Sequence, residues 1–62
     1  MYFVIYKSKP GAYWWVIKSD GNHETLAHSE ILGSKAQCLH AIDIIYREAG
    51  NAKYRDETGE DD

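Results

Sequence analysis

The first half of the chain has the residue pattern of β-strands. Residues 2–7 and 12–18 consist mostly of β-branched and aromatic residues, which favour extended backbone. Between them, Pro10 and Gly11 supply the fixed φ and the conformational freedom that a tight turn needs. Residues 24–29 form a weaker third segment after a second glycine-containing turn. We therefore predict three consecutive antiparallel strands.

The second half of the chain changes to the periodicity of an α-helix. Ser34 and Gln37 have the spacing of a capping box, and Gly50 supplies a C-terminal stop. Apolar positions between them fall on an arc of about 160° when successive residues are placed 100° apart. The arc consists of Cys38, Leu39, Ala41, Ile42, Ile45, Tyr46 and Ala49. This pattern predicts an amphipathic helix over roughly residues 35–49.

A final segment, residues 52–57, alternates in polarity but contains a single large apolar residue, Tyr54. Such a segment becomes a strand only where a sheet edge accepts it. The predicted fold class is therefore α+β, with the element order β-β-β-α-β. We expect an antiparallel sheet with one helix packed on one of its faces.

Both faces of the first two strands are apolar, although a sheet with one solvated face normally alternates apolar and polar residues. We place Trp15 opposite Ile5 across the hairpin, so that alternate residues share a face. One face then contains Phe3, Ile5, Tyr13, Trp15 and Ile17, and the other contains Tyr2, Val4, Tyr6, Trp14 and Val16. Because one helix covers one face, we expect a lone chain to expose Trp14 more than Trp15.

The uncovered face predicts a ligand or partner surface, because exposed apolar patches usually mark interaction sites. We assign this surface to Tyr2, Tyr6, Trp14 and Val16. A second copy of the chain, a ligand, or both in part would cover it. In the simpler alternative, the aromatic rings lie flat with their polar tips in water.

The length of 62 residues holds one small domain, whose core alone stabilises it weakly. Small domains usually gain further stability from disulfides, a structural metal or a partner chain. The single cysteine, Cys38, excludes an intrachain disulfide and fits the reducing cytoplasm. We also find no signal-peptide pattern and no apolar run long enough to cross a membrane. Assembly with another chain, in the cytoplasm, is therefore the first expectation.

Charge is distributed unevenly along the chain, whose net charge is −3. Residues 56–62 carry five acidic residues and no basic one, so residues 1–55 have a net charge of +2. We predict a domain over residues 1–58 and a flexible acidic tail over residues 59–62. A net charge of +2 supports nucleic-acid binding only weakly. Single-stranded nucleic acid stacked on the aromatic face nevertheless remains one alternative function.

Catalytic and metal-binding patterns are weak. Cys38 and His40 point to opposite sides of the predicted helix, so they cannot form a catalytic pair, and Cys38 fits a core position better. His23, His28 and His40 lack the spacing of metal ligands, and no glycine-rich phosphate loop is present. We expect no metal and no cofactor. An enzyme would need a site at a dimer interface, with His28 or His40 beside a carboxylate from the other chain.

One ordered set of segments begins with Phe3-Val4-Ile5-Tyr6-Lys7, Gly11 and Trp15-Val16-Ile17-Lys18. It continues with Ala27-His28-Ser29-Glu30, Ser34-Lys35, Cys38, Ala41-Ile42 and Asp56-Glu57-Thr58-Gly59. This ordered set resembles the YegP-like family of small, mostly bacterial proteins of unknown function. Here Trp14 and Val16 are apolar where the family often has polar residues.

The resemblance implies a homodimer, because two β-β-β-α-β units of this family join into one sheet and exchange their C-terminal strands. The exchanged strand would consist of Ala52, Lys53, Tyr54, Arg55 and Asp56. The resemblance implies no activity and no cofactor.

Overall fold

A computed structural model describes residues 1–60 and confirms the α+β class. Its three strands form one antiparallel sheet in the order β1-β2-β3. The elements are β1 (Tyr2–Lys9), β2 (Ala12–Lys18), β3 (Thr25–His28), the helix α1 (Lys35–Glu48) and a 3-10 turn (Ala49–Asn51). The helix packs against β1 and β2.

The register of the β1–β2 hairpin is the predicted one, with Trp15 opposite Ile5 and Tyr13 opposite Lys7. The strands extend further towards the turn than expected, because a β-bulge between Lys7 and Lys9 absorbs the extra residue. Pro10 and Gly11 alone remain between the strands. Gly11 has a φ of 77°, the left-handed conformation that glycine adopts without strain.

The third strand is shorter than predicted, but its path along β2 continues beyond His28 through other contacts. The Trp15 N–H donates to the Ser29 hydroxyl at 3.0 Å, and the Ser29 N–H donates to the Trp15 carbonyl at 3.0 Å. Further along, Tyr13 and Leu32 exchange two backbone hydrogen bonds of 2.9 and 2.7 Å. Residues 29–32 therefore form hydrogen bonds with backbone groups of β2 beyond the regular pairing with β3.

The start of α1 has the predicted capping pair. The Ser34 hydroxyl accepts from the Gln37 N–H at 3.2 Å, and Gln37 Oε1 accepts from the Gly33 N–H at 2.7 Å. The end of the helix differs from the prediction, because Gly50 lies in a 3-10 turn and does not adopt a positive φ. The Ala52 N–H donates to the Ala49 carbonyl at 3.2 Å, which is the hydrogen bond of a 3-10 turn. The α-helix therefore ends in a 3-10 turn and not in a left-handed glycine cap.

The core of the described chain is small. Only Ala12, Val16, Ile17 and Cys38 are buried among residues 1–60. Cys38 has 0% exposure, which confirms its predicted place in the core. Val16 and Ile17 are adjacent and point to opposite faces of β2, so both faces of the central strand are covered at this level.

The expected difference between the two tryptophans is not found, because Trp14 and Trp15 are both half-buried. The Tyr6 ring stacks on Trp14 with ring centres 5.4 Å apart. This contact shields one side of Trp14, which our expectation had left open to solvent.

The predicted fourth strand does not form within the single chain. Residues 52–57 are exposed and, among residues 1–60, pair with no strand. The backbone is extended at Ala52, where φ is −65° and ψ is 140°. The last two residues of the predicted acidic tail, 61 and 62, lie outside the described residues.

Candidate interaction surface

The proposed surface residues lie in cross-strand rows on one face of the hairpin. Tyr6 lies opposite Trp14, and Tyr2 lies opposite Lys18. Tyr6 and Trp14 form a stacked pair with 23° between their ring planes. Tyr6 is 38% exposed, which makes it the most accessible of the four residues that we assigned to this surface.

Val16 lies on the same face as Tyr6 and Trp14 but contributes little accessible surface. Its exposure is 6%, because it lies in the middle strand between Val4 and His28. In the single chain, Val16 is therefore part of the floor below the aromatic residues. A partner or ligand would reach it only after the surrounding side chains moved.

Tyr2 is tied to the turn between β2 and β3, a contact that sequence reasoning missed. Its hydroxyl shares a hydrogen bond of 2.8 Å with His23 Nδ1, and the two rings meet edge to face at 5.9 Å. His23 has a φ of 58°, which directs the side chain of this turn residue back towards β1. The Met1 ammonium group forms an ion pair with Asp20 of the same turn. The N-terminus of β1 is thus fastened to the second turn at two points.

Two lysines, Lys7 and Lys9, lie at the other end of the hairpin, on opposite faces of β1. The Lys7 Nζ atom lies 5.5 Å from the centre of the Tyr13 ring, within the range of a cation–π contact.

The two arginines of the chain each form an ion pair with a carboxylate. Arg47 contacts Asp43 at 2.9 Å and Arg55 contacts Glu57 at 3.2 Å, so each has a nearby carboxylate as counter-charge.

Three large apolar residues of the helix, Leu39, Ile44 and Tyr46, are exposed to solvent. Leu39 and Tyr46, which lie at one margin of the predicted apolar arc, are 51% and 79% exposed, so the buried stripe is narrower than that arc. Ile44, on the otherwise polar side, lines a groove of about 670 Å³ beside the end of α1. The groove is completed by Ile45, Arg47, Glu48, Ala49, Asn51, Ala52 and Lys53. The isolated Ile44 was the only signal for this groove in the sequence.

The C-terminal segment has its own local order. Asp56 Oδ1 accepts hydrogen bonds from the Thr58 hydroxyl at 2.7 Å and from the Thr58 N–H at 2.9 Å. The hydroxyl bond, followed by the backbone bond, lowers the pKa of the Asp56 carboxyl group because both donors favour its charged form. Nearby, Tyr54 is 92% exposed. A large aromatic ring that touches so little of its own chain is available to a partner.

The candidate chemical groups are dispersed. Buried Cys38 and exposed His40 do not meet, as the helical spacing predicted. His28 Nδ1 donates to the Ser29 carbonyl at 3.1 Å, and His23 contacts Tyr2. In the described part of the chain, no three metal-ligating side chains come together.

No helix within residues 1–60 has both the length and the apolar character that a bilayer crossing requires.

Comparison with known proteins identifies the family. The family described as domain of unknown function DUF1508, which corresponds to the YegP-like domain, matches residues 8–56. The UPF0339 protein NMB1088 of Neisseria meningitidis serogroup B is 47% identical over 45 residues, which are 73% of this chain and 79% of that protein. The UPF0339 protein NMA1193/NMA1859 of Neisseria meningitidis serogroup A has the same identity and coverage. The resemblance is thereby confirmed, and the chain belongs to the DUF1508, or YegP-like, family of uncharacterised proteins.

Proposed function

We propose that this protein is a homodimeric association module in which residues 52–57 of each chain cross to the sheet of the other. Its role is to present a composite surface to a protein or ligand. The reducing cytoplasm suits such a module, because its one cysteine is a buried core residue.

The observation that carries the proposal is the large surface that a single chain leaves exposed. A compact monomer of 7.1 kDa exposes about 4,100 Å² according to the scaling of surface area with mass. This chain exposes 5218 Å². The excess of about 1,100 Å² is larger than the roughly 800 Å² that each partner buries in a standard interface. Burying this excess against a second chain would therefore remove from solvent an area typical of stable complexes.

The shape of the chain agrees with this surface area. Its radius of gyration is 14.1 Å, whereas a compact domain of 62 residues has a value of about 10.6 Å. Residues 52–60 are exposed throughout, so they contribute to both excesses. A segment of this kind gains contacts only if another molecule receives it.

Residues 52–57 have the properties of a strand that another chain supplies. Their backbone leaves the 3-10 turn in an extended conformation, and Tyr54 has almost no contact with its own chain. The three-stranded sheet has β1 and β3 at its edges, each of which has backbone groups available for another strand. Pairing at such an edge would satisfy backbone groups and bury Tyr54 at the same time.

Sedimentation equilibrium at micromolar concentration tests the proposal. We expect a mass twice that of the chain for the full protein and for a variant ending at Gly59. A variant ending at Asn51 should be monomeric or should associate much more weakly, because it lacks the exchanged segment. The variant ending at Gly59 is the matched control, since it loses acidic residues but keeps residues 52–57.

Two results would contradict the proposal. A folded 7 kDa monomer for the full chain would exclude the dimer. An unchanged dimer after removal of residues 52–62 would exclude strand exchange while leaving another dimer interface in place.

A further inference from the structure

We propose that the tip of the β1–β2 hairpin binds single-stranded nucleic acid. The bases would stack on the exposed ring of Tyr6, and a phosphate would contact Lys9. Lys9 lies on the same face as Tyr6, because its cross-strand partner Ala12 alternates with Trp14. This activity is separate from the strand exchange proposed above, because it uses the opposite end of the hairpin from the one that is tied to the second turn.

The charge of the hairpin complements a phosphate backbone. Residues 1–19 contain three lysines and no acidic residue, whereas residues 20–62 contain four basic and ten acidic residues. The net charge of −3 therefore conceals a cationic hairpin on an otherwise anionic protein. Local fields of this kind attract an anionic partner even when the whole molecule has the same sign of charge.

The lysines at the tip have no counter-charge within the described chain. Both arginines contact carboxylates, but within residues 1–60 no carboxylate lies within ion-pair distance of Lys7 or Lys9. The Lys9 charge is consequently available to a phosphate, whereas Lys7 lies on the other face of the hairpin, over the Tyr13 ring. Each phosphate contact releases a condensed counterion, which supplies affinity that decreases with added salt.

The aromatic pair supplies a surface for bases. Trp14 packs nearly parallel to Tyr6 and supports its ring, while 38% of Tyr6 remains exposed. A supported, partly exposed ring with a lysine on the same face of the sheet is the kind of arrangement that single-strand binding proteins use for sequence-tolerant stacking. An acidic peptide would match the lysines but would leave the ring without a flat partner. Nucleic acid is the ligand class that uses both features.

Fluorescence anisotropy of a labelled oligothymidylate, about eight nucleotides long, measures the binding to the full protein. For the one phosphate contact at Lys9, we expect the logarithm of the binding constant to decrease with the logarithm of salt concentration with a slope of about −0.7. Replacing Lys9 with Gln should make the slope smaller by about 0.7. Lys35→Gln, which makes the same charge change at the start of α1, is the matched control and should leave the slope unchanged.

The contribution of stacking is tested at Tyr6. Removing the ring in Tyr6→Ser should weaken binding about 5- to 150-fold, the equivalent of one stacked base, whereas Tyr6→Phe should retain the affinity. Circular dichroism and sedimentation equilibrium of each variant show whether its fold and assembly are unchanged. The lysine variants and Tyr6→Phe preserve the test if Tyr6→Ser does not fold.

Several results would overturn the proposal. One is the absence of binding at low salt, and another is equal loss of affinity in Lys9→Gln and Lys35→Gln. Heparin carries charge without bases, so a Tyr6→Ser variant that binds heparin and the oligonucleotide as the unmodified protein does would reduce the site to a general anion site. A Tyr6→Ser variant that dissociates the dimer but binds the oligonucleotide normally would assign Tyr6 to the protein interface instead.

Discussion

Trp15 and Ser29 are joined by two hydrogen bonds of 3.0 Å, one from each backbone N–H group. The Ser29 hydroxyl accepts the hydrogen bond of the Trp15 N–H. A side-chain oxygen thus replaces the backbone carbonyl that a regular strand would provide. The same hydroxyl donates to the Glu30 carbonyl at 2.7 Å. This residue therefore joins the end of β3 to the middle of the sheet.

Replacing Ser29 with Ala should lower the free energy of unfolding by about 1 kcal/mol, because the half-buried Trp15 N–H loses its acceptor. For a domain of this size, the expected decrease in melting temperature is about 4–8 °C per kcal/mol. Thermal unfolding measured at one fixed protein concentration checks this result, since association also changes the melting temperature. Ser8→Ala in the β1 bulge is the control and should leave it unchanged, because Ser8 is exposed. Equal melting temperatures for the two variants would show that the Ser29 hydroxyl contributes nothing.

Gly50 and Gly11 should respond oppositely to replacement by Ala. A Cβ atom at either position meets no atom within 4 Å, but Gly11 has a φ of 77° whereas Gly50 lies in a right-handed 3-10 turn. Gly50→Ala should therefore stabilise the protein by about 0.4–1 kcal/mol by reducing the entropy of the unfolded chain. Gly11→Ala should destabilise it by a similar or larger amount. Urea unfolding of both variants measures the difference, and destabilisation by Gly50→Ala would indicate that Gly50 is a left-handed helix cap after all.

Thr58 should control the titration of Asp56. The two hydrogen bonds from Thr58 lower the pKa of the Asp56 carboxyl group. They therefore stabilise the turn over residues 56–60 fully at pH values above the ordinary aspartate pKa of about 3.9. That contribution is lost as the pH falls through the lowered pKa, because protonation removes the charged acceptor. Thr58→Val keeps the backbone donor and removes the hydroxyl. We expect this variant to raise the pKa of Asp56 towards the ordinary value.

Carboxyl chemical shifts followed by NMR through a pH titration measure this change directly. Asp43 is a suitable internal reference, since it lies on α1 and contacts Arg47 instead of Thr58. An identical titration of Asp56 in both proteins would show that the hydroxyl does not act on the carboxylate.

The local pattern of the chain predicted the elements correctly where the cause was local. β-branched and aromatic content predicted β1 and β2, and the position of the turn at Pro10 and Gly11 predicted their register. The Ser34–Gln37 spacing predicted the start of α1, because a capping box involves only four consecutive residues. Family membership also followed from the order of these segments along the chain.

Features that depend on distant contacts were not visible in the sequence. The link between Tyr2 and His23, and the stack of Tyr6 on Trp14, arise only when the strands are placed side by side. That stack helps to explain why Trp14 is half-buried, although alternation puts it on the opposite face from Trp15. Gly50 shows the same limit, because glycine permits both a left-handed cap and a 3-10 turn, and the path of the following residues selects one of them.

The sequence by itself determined the three strands, the helix and their order, since residue content and helical periodicity record which sides of these elements meet apolar surroundings. It did not determine whether residues 52–57 form a strand. Tertiary structure decided how much of each side is covered, because burial depends on the area and placement of the neighbouring elements. Within residues 1–60, one helix and three short strands bury only four side chains completely enough to form a core. For that physical reason, a chain of this length has apolar surface left to offer to other molecules.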